Sequence, residues 1–247
     1  MQFSSPIDAA SDILDDEEGV PQNPGTLLDL MFVEVANLLV FAEKSFAQSK
    51  DAGSAQAELS TSVMDLLIEA EETDAKLASW PAFIPKDWFP IQVSVNDVPK
   101  SVVDAGFYGN SCDVYSDIVV CSTWNEWRVA RLMVLGLIAR ISHKESELRA
   151  VETIQQLVDE ICACIPFSLG DRIEPGNFYE AQIQYPCLPG RPMSKQHQKT
   201  ATAYGGWYLF APFKETMKIG IRLRKGQRDW LSGQLLRLAK MYDVVPA

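Results

Sequence analysis

Apolar positions Leu27, Met31, Val35, Leu38, Ala42 and Phe46 recur at helical spacing, with Asp29, Glu34 and Glu43 between them. They predict a first helix that opens at Thr26 as its N-cap. Residues 50–54 break the pattern around Gly53, and a second helix follows over 57–79, with Leu59, Val63, Leu66, Leu67 and Ala70 on one face and an acidic opposite face. Trp80-Pro81, Ile84-Pro85, Trp88 and Phe89-Pro90 then alternate rings with prolines. Proline lacks the N–H a helix needs, so this stretch predicts an extended loop docked by its aromatics. Val93, Val95 and Val98 suggest a short strand, and 106–110 a turn. Strong apolar periodicity predicts a long helix over 115–140 and another over 144–164, stopped by Pro166. Residues 166–197 are rich in proline and glycine and predict a long loop. Two helices close the chain, over 198–217 with a kink at Pro212 and over 226–242. The sum is an all-α fold, an irregular multi-helix bundle with one Pro/aromatic-rich docked loop and one long Pro/Gly loop. Residues 1–25, with Asp15-Asp16-Glu17-Glu18 and three prolines, are expected to form a flexible acidic leader before a single helical domain over 26–247.

Composition agrees with a packed domain. Of 247 residues, 47% are hydrophobic and 22% charged, and a chain of this length buries a core without metal or disulfide staples. The nearest approach to a membrane span in this reading is 129–141, too short and interrupted by Arg131 and Arg140. No basic segment followed by an apolar one opens the chain, so no secretory signal is read and a cytoplasmic or nuclear location is expected. Net charge is −11, which repels a phosphate backbone at long range and argues against direct nucleic-acid binding. That charge is uneven: residues 1–100 hold 18 Asp/Glu against 5 Lys/Arg, whereas 191–240 hold 11 Lys/Arg against Glu215 and Asp229. Cys112, Cys121, Cys162, Cys164 and Cys187 follow no metal or disulfide spacing and read as buried or half-buried thiols. With two histidines, His143 and His197, both read as surface residues, neither a metal site nor a cofactor is expected.

Two clusters have the residue types that do chemistry. Tyr115, Asp117, Trp124, Asn125, Glu126, Trp127, Arg128 and Arg131 form the first. Trp124, Trp127, Arg128 and Arg131 lie three and four apart and share a helix face. Either they lock the helix, with Arg128 paired to Asp117 or Glu126, or they wall a pocket for an apolar ligand bearing a carbonyl or carboxylate. The second cluster is Tyr204-Gly205-Gly206-Trp207-Tyr208-Leu209-Phe210. Its paired glycines mark either close packing or a pocket floor. Tyr115, Trp124, Trp127, Arg128, Tyr204, Trp207 and Phe210 are therefore the candidate ligand-binding residues. Signatures for nucleotide binding, nucleophilic serine and zinc peptidase chemistry are all absent.

Trp80-Pro81 with Pro85 and Trp88, then Val114-Tyr115-Ser116-Asp117, then Trp124-Asn125-Glu126-Trp127-Arg128 with Arg131, is similar to the C-terminal regulatory region of fungal zinc-cluster transcription factors. Gly205-Gly206-Trp207-Tyr208-Leu209-Phe210-Ala211-Pro212 resembles that family's glycine–glycine–aromatic helix, and Gln227-Arg228-Asp229-Trp230 its closing segment. The resemblance spans about residues 57–247. The family's six-cysteine DNA-binding cluster has no counterpart here, since the first hundred residues contain no cysteine. The resemblance thus implies a stand-alone, non-DNA-binding relative of the regulatory domain. Such a relative is expected to bind an apolar small molecule or a partner protein, in fungal secondary metabolism or its regulation. A second expectation is a cofactor-free cyclase or isomerase of the Diels–Alder type, in which Tyr115, Trp124 or Arg128 would activate a conjugated carbonyl.

Overall fold

A computed structural model describes residues 23–51, 56–174 and 183–244, with side chains from 23–47 and 63 onward in the first two helices. The expected acidic leader lies outside the described residues as far as residue 22. Among the described residues, eight α-helices and one two-stranded sheet make a mostly all-α bundle, as the periodicity predicted. Helix α1 spans Pro24–Asp51 and α2 spans Gln56–Ser79. Helix α1 starts two residues before the Thr26 cap expected from sequence. Asn23 caps it instead, its side chain accepting the Gly25 N–H at 3.0 Å.

Leu28, Val35, Leu38 and Ala42 of α1 are buried, together with Leu66, Ala70 and Leu77 of α2. The stretch Pro24–Ala47, 24 residues, is by length and composition apolar enough to cross a bilayer. This corrects the choice of 129–141 as the nearest approach to a span, which weighed one short run rather than both faces of α1.

The proline/aromatic segment docks through two 3₁₀ turns, Trp80–Phe83 and Lys86–Trp88. Strand β1, Ile91–Ser94, then pairs antiparallel with β2, Ser111–Val114, in the register Ile91↔Val114. Of the three valines expected in a strand only Val93 is in one. Val95 begins a 3₁₀ turn capped by Ser94, whose side chain accepts the Asn96 N–H. A short helix α3, Lys100–Gly106, links the strands.

The two central helices are α4, Ile118–Ile141, and α5, Lys144–Leu169. Tyr115 lies outside α4, because the Asp117 carboxylate accepts the Val119 and Val120 N–H groups and fixes the start there. Helix α5 passes through Pro166 and ends three residues later, contrary to the expected stop. Its last carbonyls find other partners: Pro166 O accepts from Gly170 N–H and Phe167 O pairs with His197 Nε2. Arg237 donates to Gly170 O at 2.7 Å and Arg172 O at 2.8 Å, a cation at the negative end of the helix. Burial draws the Arg237 guanidinium down to about 10, so it keeps its charge at neutral pH.

The helix expected over 198–217 is in four pieces. Helix α6, Lys195–Thr200, runs into a π turn at Ala201–Gly205, then a 3₁₀ turn at Trp207–Leu209, then α7, Phe210–Lys218. The irregularity thus falls at the glycines, not at Pro212, which sits in the first turn of α7 where a missing N–H costs nothing. A Cβ on Gly205 would stand 2.1 Å from the Ser168 carbonyl oxygen, and one on Gly206 would strike the Tyr242 ring. Close packing is therefore the reason for the pair. Helix α8, Gln227–Tyr242, closes the described bundle.

His197 is buried, against the expectation that its Lys-Gln-His-Gln-Lys setting made it a surface residue. Its ring packs on Phe167 and Tyr185, and Nδ1 has no hydrogen-bond partner. Burial lowers its pKa to about 4, with Phe167 O and Asp117 offsetting only part of that. The unfolded chain, with histidine near 6.5, binds the proton first as pH falls. Stability from this site is full above about pH 6.5 and drains away down to about 4, by up to about 3 kcal/mol. Urea midpoints across that window should fall more steeply for the wild type than for His197→Gln; parallel curves would contradict the assignment.

Candidate functional site

Arg128 is the centre of the first cluster and is 1% exposed. Its Nε donates to Glu160 Oε2 at 3.1 Å, NH1 to Asn125 Oδ1 at 2.9 Å and NH2 to the Tyr115 hydroxyl at 3.0 Å. The guanidinium also faces the Trp124 and Tyr115 rings, at 5.5 and 6.0 Å from their centroids. Burial works against its charge, but Tyr115, Glu160 and Cys164 outweigh that and raise its pKa. Asn125 continues the network by donating Nδ2 to Cys164 Sγ at 3.2 Å. Burial likewise drives the Tyr115 hydroxyl well above its ordinary range, so it stays a neutral phenol beside Arg128.

The partner of Arg128 is neither Asp117 nor Glu126, as the sequence had suggested. Asp117 caps the helix about 16 Å below. Glu126 lies two residues away, on the outer side of α4, where Ser122 donates to it at 3.3 Å. Glu160 arrives from α5, and Gln156 Nε2 holds its other oxygen at 3.0 Å.

The tryptophans of this cluster spend their N–H groups on backbone carbonyls. Trp124 donates to Trp88 O at 2.8 Å, Trp127 to Leu77 O at 2.7 Å and Trp80 to Pro24 O at 3.0 Å. The three rings pack on one another with centroids 5.2 to 6.0 Å apart. Arg131 stacks on Trp127 at 5.3 Å and grips Asp74 of α2 with two bonds of 2.9 and 3.0 Å.

The second cluster faces solvent. Tyr204 is 55% and Trp207 52% exposed, and Phe210 is half-buried. Trp207 leans on Phe210 at 5.3 Å and on Tyr242 at 5.0 Å. Tyr242 is held in turn: its hydroxyl accepts the Gly206 N–H at 3.2 Å, and the Arg172 guanidinium covers its ring at 5.3 Å. The result is an aromatic ledge on a rigid base, at the π turn. Among the described residues, no hydrogen bond or ring contact joins the ledge to the Arg128 cluster.

Four cysteines are buried and Cys187 is half-buried, all as free thiols. No group of three His, Cys, Asp or Glu among the described residues is placed to hold a metal ion. Sequence reasoning missed Glu160, His197 and Tyr242. Each acts across thirty residues or more, and for Glu160 and Tyr242 only the helical period of α5 and α8 hinted which face they occupy.

Part of the chain is similar to transcription factor dbaG of Emericella nidulans, with 36% identity over 95 residues. The match covers 36% of this chain and 22% of the length of that protein. No family model and no solved structure matches the chain. Over that shared stretch the chain is a distant relative of a fungal transcription factor.

Proposed function

We propose that this chain is a regulatory module of the transcription-factor kind that works by holding a partner protein, without itself reading DNA. The observation that carries this reading is the ledge of Tyr204, Trp207 and Phe210. Large aromatic residues left half in water on an anchored base are the residue types that dominate protein interfaces. The acidic net charge supports an association through protein rather than phosphate. Tyr115, Trp124, Trp127 and Arg128 we assign to the scaffold. The Trp124 N–H is spent on the Trp88 carbonyl, and Arg128 is engaged by Tyr115, Asn125 and Glu160, so neither is aimed at a substrate carbonyl. For that reason we favour association over catalysis.

Exchanging the gene in its host for a Tyr204→Ser, Trp207→Ser version tests this. Each lost anchor of the hot-spot kind weakens a complex by about 2 kcal/mol, or about thirtyfold. Transcripts that depend on the gene should fall as they do in a deletion strain, while the variant accumulates as a folded protein. Unchanged transcripts would refute the reading. A deletion strain that piles up one precursor with normal transcripts would instead establish an enzyme.

A further inference from the structure

A groove of about 450 Å³ runs between α4, α7 and the extended segment that follows α7. Leu132, Met133, Gly136, Ala139 and Arg140 line it from one face of α4, and Ile219 and Ile221 form the opposite wall. That wall is fixed in advance: Arg228 of α8 donates to Met217 O at 3.0 Å, Ile219 O at 2.8 Å and Ile221 O at 3.3 Å. The volume lies within the range of small-molecule sites, and the floor is apolar.

Two features of the lining leave it open to a ligand. Gly136 is in the middle of α4, where glycine weakens a helix relative to alanine. A Cβ built there meets nothing within 4 Å, so no neighbour requires the glycine. What it leaves is room in the groove. Arg140 is the second. Its guanidinium rests on the Phe46 ring at 3.8 Å, and no carboxylate among the described residues pairs with it. The other cation on the rim, Lys218, is already neutralised by Glu215 at 2.7 Å. The groove thus offers an apolar trough with one uncompensated positive fork at its edge, matched to a carboxylate.

We propose that this groove is a binding site for an amphipathic monocarboxylate. The apolar body lies along Met133, Gly136, Ile219 and Ile221, and the carboxylate meets Arg140. The site is separate from the aromatic ledge, and neither proposal depends on the other.

Titration of the full chain with cis-parinaric acid, followed by its fluorescence, tests the site. Wild-type protein should bind one equivalent saturably, and about tenfold more weakly when the acid is replaced by the corresponding alcohol. Arg140→Gln should bring acid and alcohol to equal affinity. Gly136→Leu should weaken both by at least about tenfold while its melting temperature holds or rises. If that variant loses its cooperative melt, Gly136→Ala gives the same readout in smaller degree. Absence of saturable binding, equal affinity of acid and alcohol for the wild type, or unaltered binding to a folded Gly136 variant would each overturn the proposal. Trp207→Ser should bind the probe as the wild type does, and a loss there would overturn the placement in the groove.

Discussion

Arg128→Ala is expected to lower the free energy of unfolding by about 3–5 kcal/mol, read as a shift of the urea midpoint at unchanged slope. Truncation strands several groups at once. The Tyr115 hydroxyl and Asn125 Oδ1 lose a charged donor inside the protein, and Glu160 loses its counterion. Glu160 keeps 29% of its side chain in solvent, so water partly replaces the guanidinium there and the lower end of the range is expected. Tyr115→Phe removes one bond of the network and should cost about 1–2 kcal/mol. If Arg128→Ala instead left the midpoint within about 0.5 kcal/mol and abolished function, Arg128 would be a ligand anchor, and its assignment to the scaffold would be wrong.

Trp80→Ala should cost about as much, 3–5 kcal/mol by the usual range for emptying a buried ring site. Trp80 is fully buried, stacked on Trp127 at 6.0 Å and edge-on to Trp124 at 5.4 Å. Its N–H also holds the carbonyl of Pro24, the first residue of α1, across 56 positions of sequence. Alanine would leave a cavity and release that helix end together. Trp80→Phe keeps most of the ring volume and gives up the hydrogen bond, and should cost about 1–2 kcal/mol beyond the lost indole contacts. Near-equal effects of the two substitutions would show that the bond to Pro24, rather than the packing, dominates.

Much of the bundle was legible because its helices are long and amphipathic. The six apolar positions first singled out in α1 recur within it, and α4 and α5 cover most of the ranges the period gave, α4 starting at Ile118 and α5 running on to Leu169. Proline and glycine misled where tertiary contacts override local rules. Pro166 does not end α5: the buried helix runs on to Leu169, and the carbonyls of Phe167 and Gly170 at its end are met by His197 and Arg237. The 3.6-residue period also cannot see a π turn, which adds a residue and rotates everything after it. In the candidate site, Trp124, Trp127, Arg128 and Arg131 were visible as one face of one helix. Glu160 was not visible as a partner of Arg128, because nothing local distinguishes one carboxylate among the 33 acidic residues from another. Burial of His197 was hidden for a similar reason: two lysines beside it advertise solvent, while the ring itself points inward to Phe167.

The trio of Trp80, Trp124 and Trp127 also sets the optical behaviour of the molecule. Indoles this close couple their transitions, so the native state should carry a strong near-ultraviolet dichroism that vanishes on unfolding. Trp207 is the one exposed tryptophan among the described residues, and its emission is open to a water-borne quencher that cannot reach the trio. Dichroism thus reports the integrity of the centre and quenching reports the ledge, and both can be followed in a single sample as a partner is added.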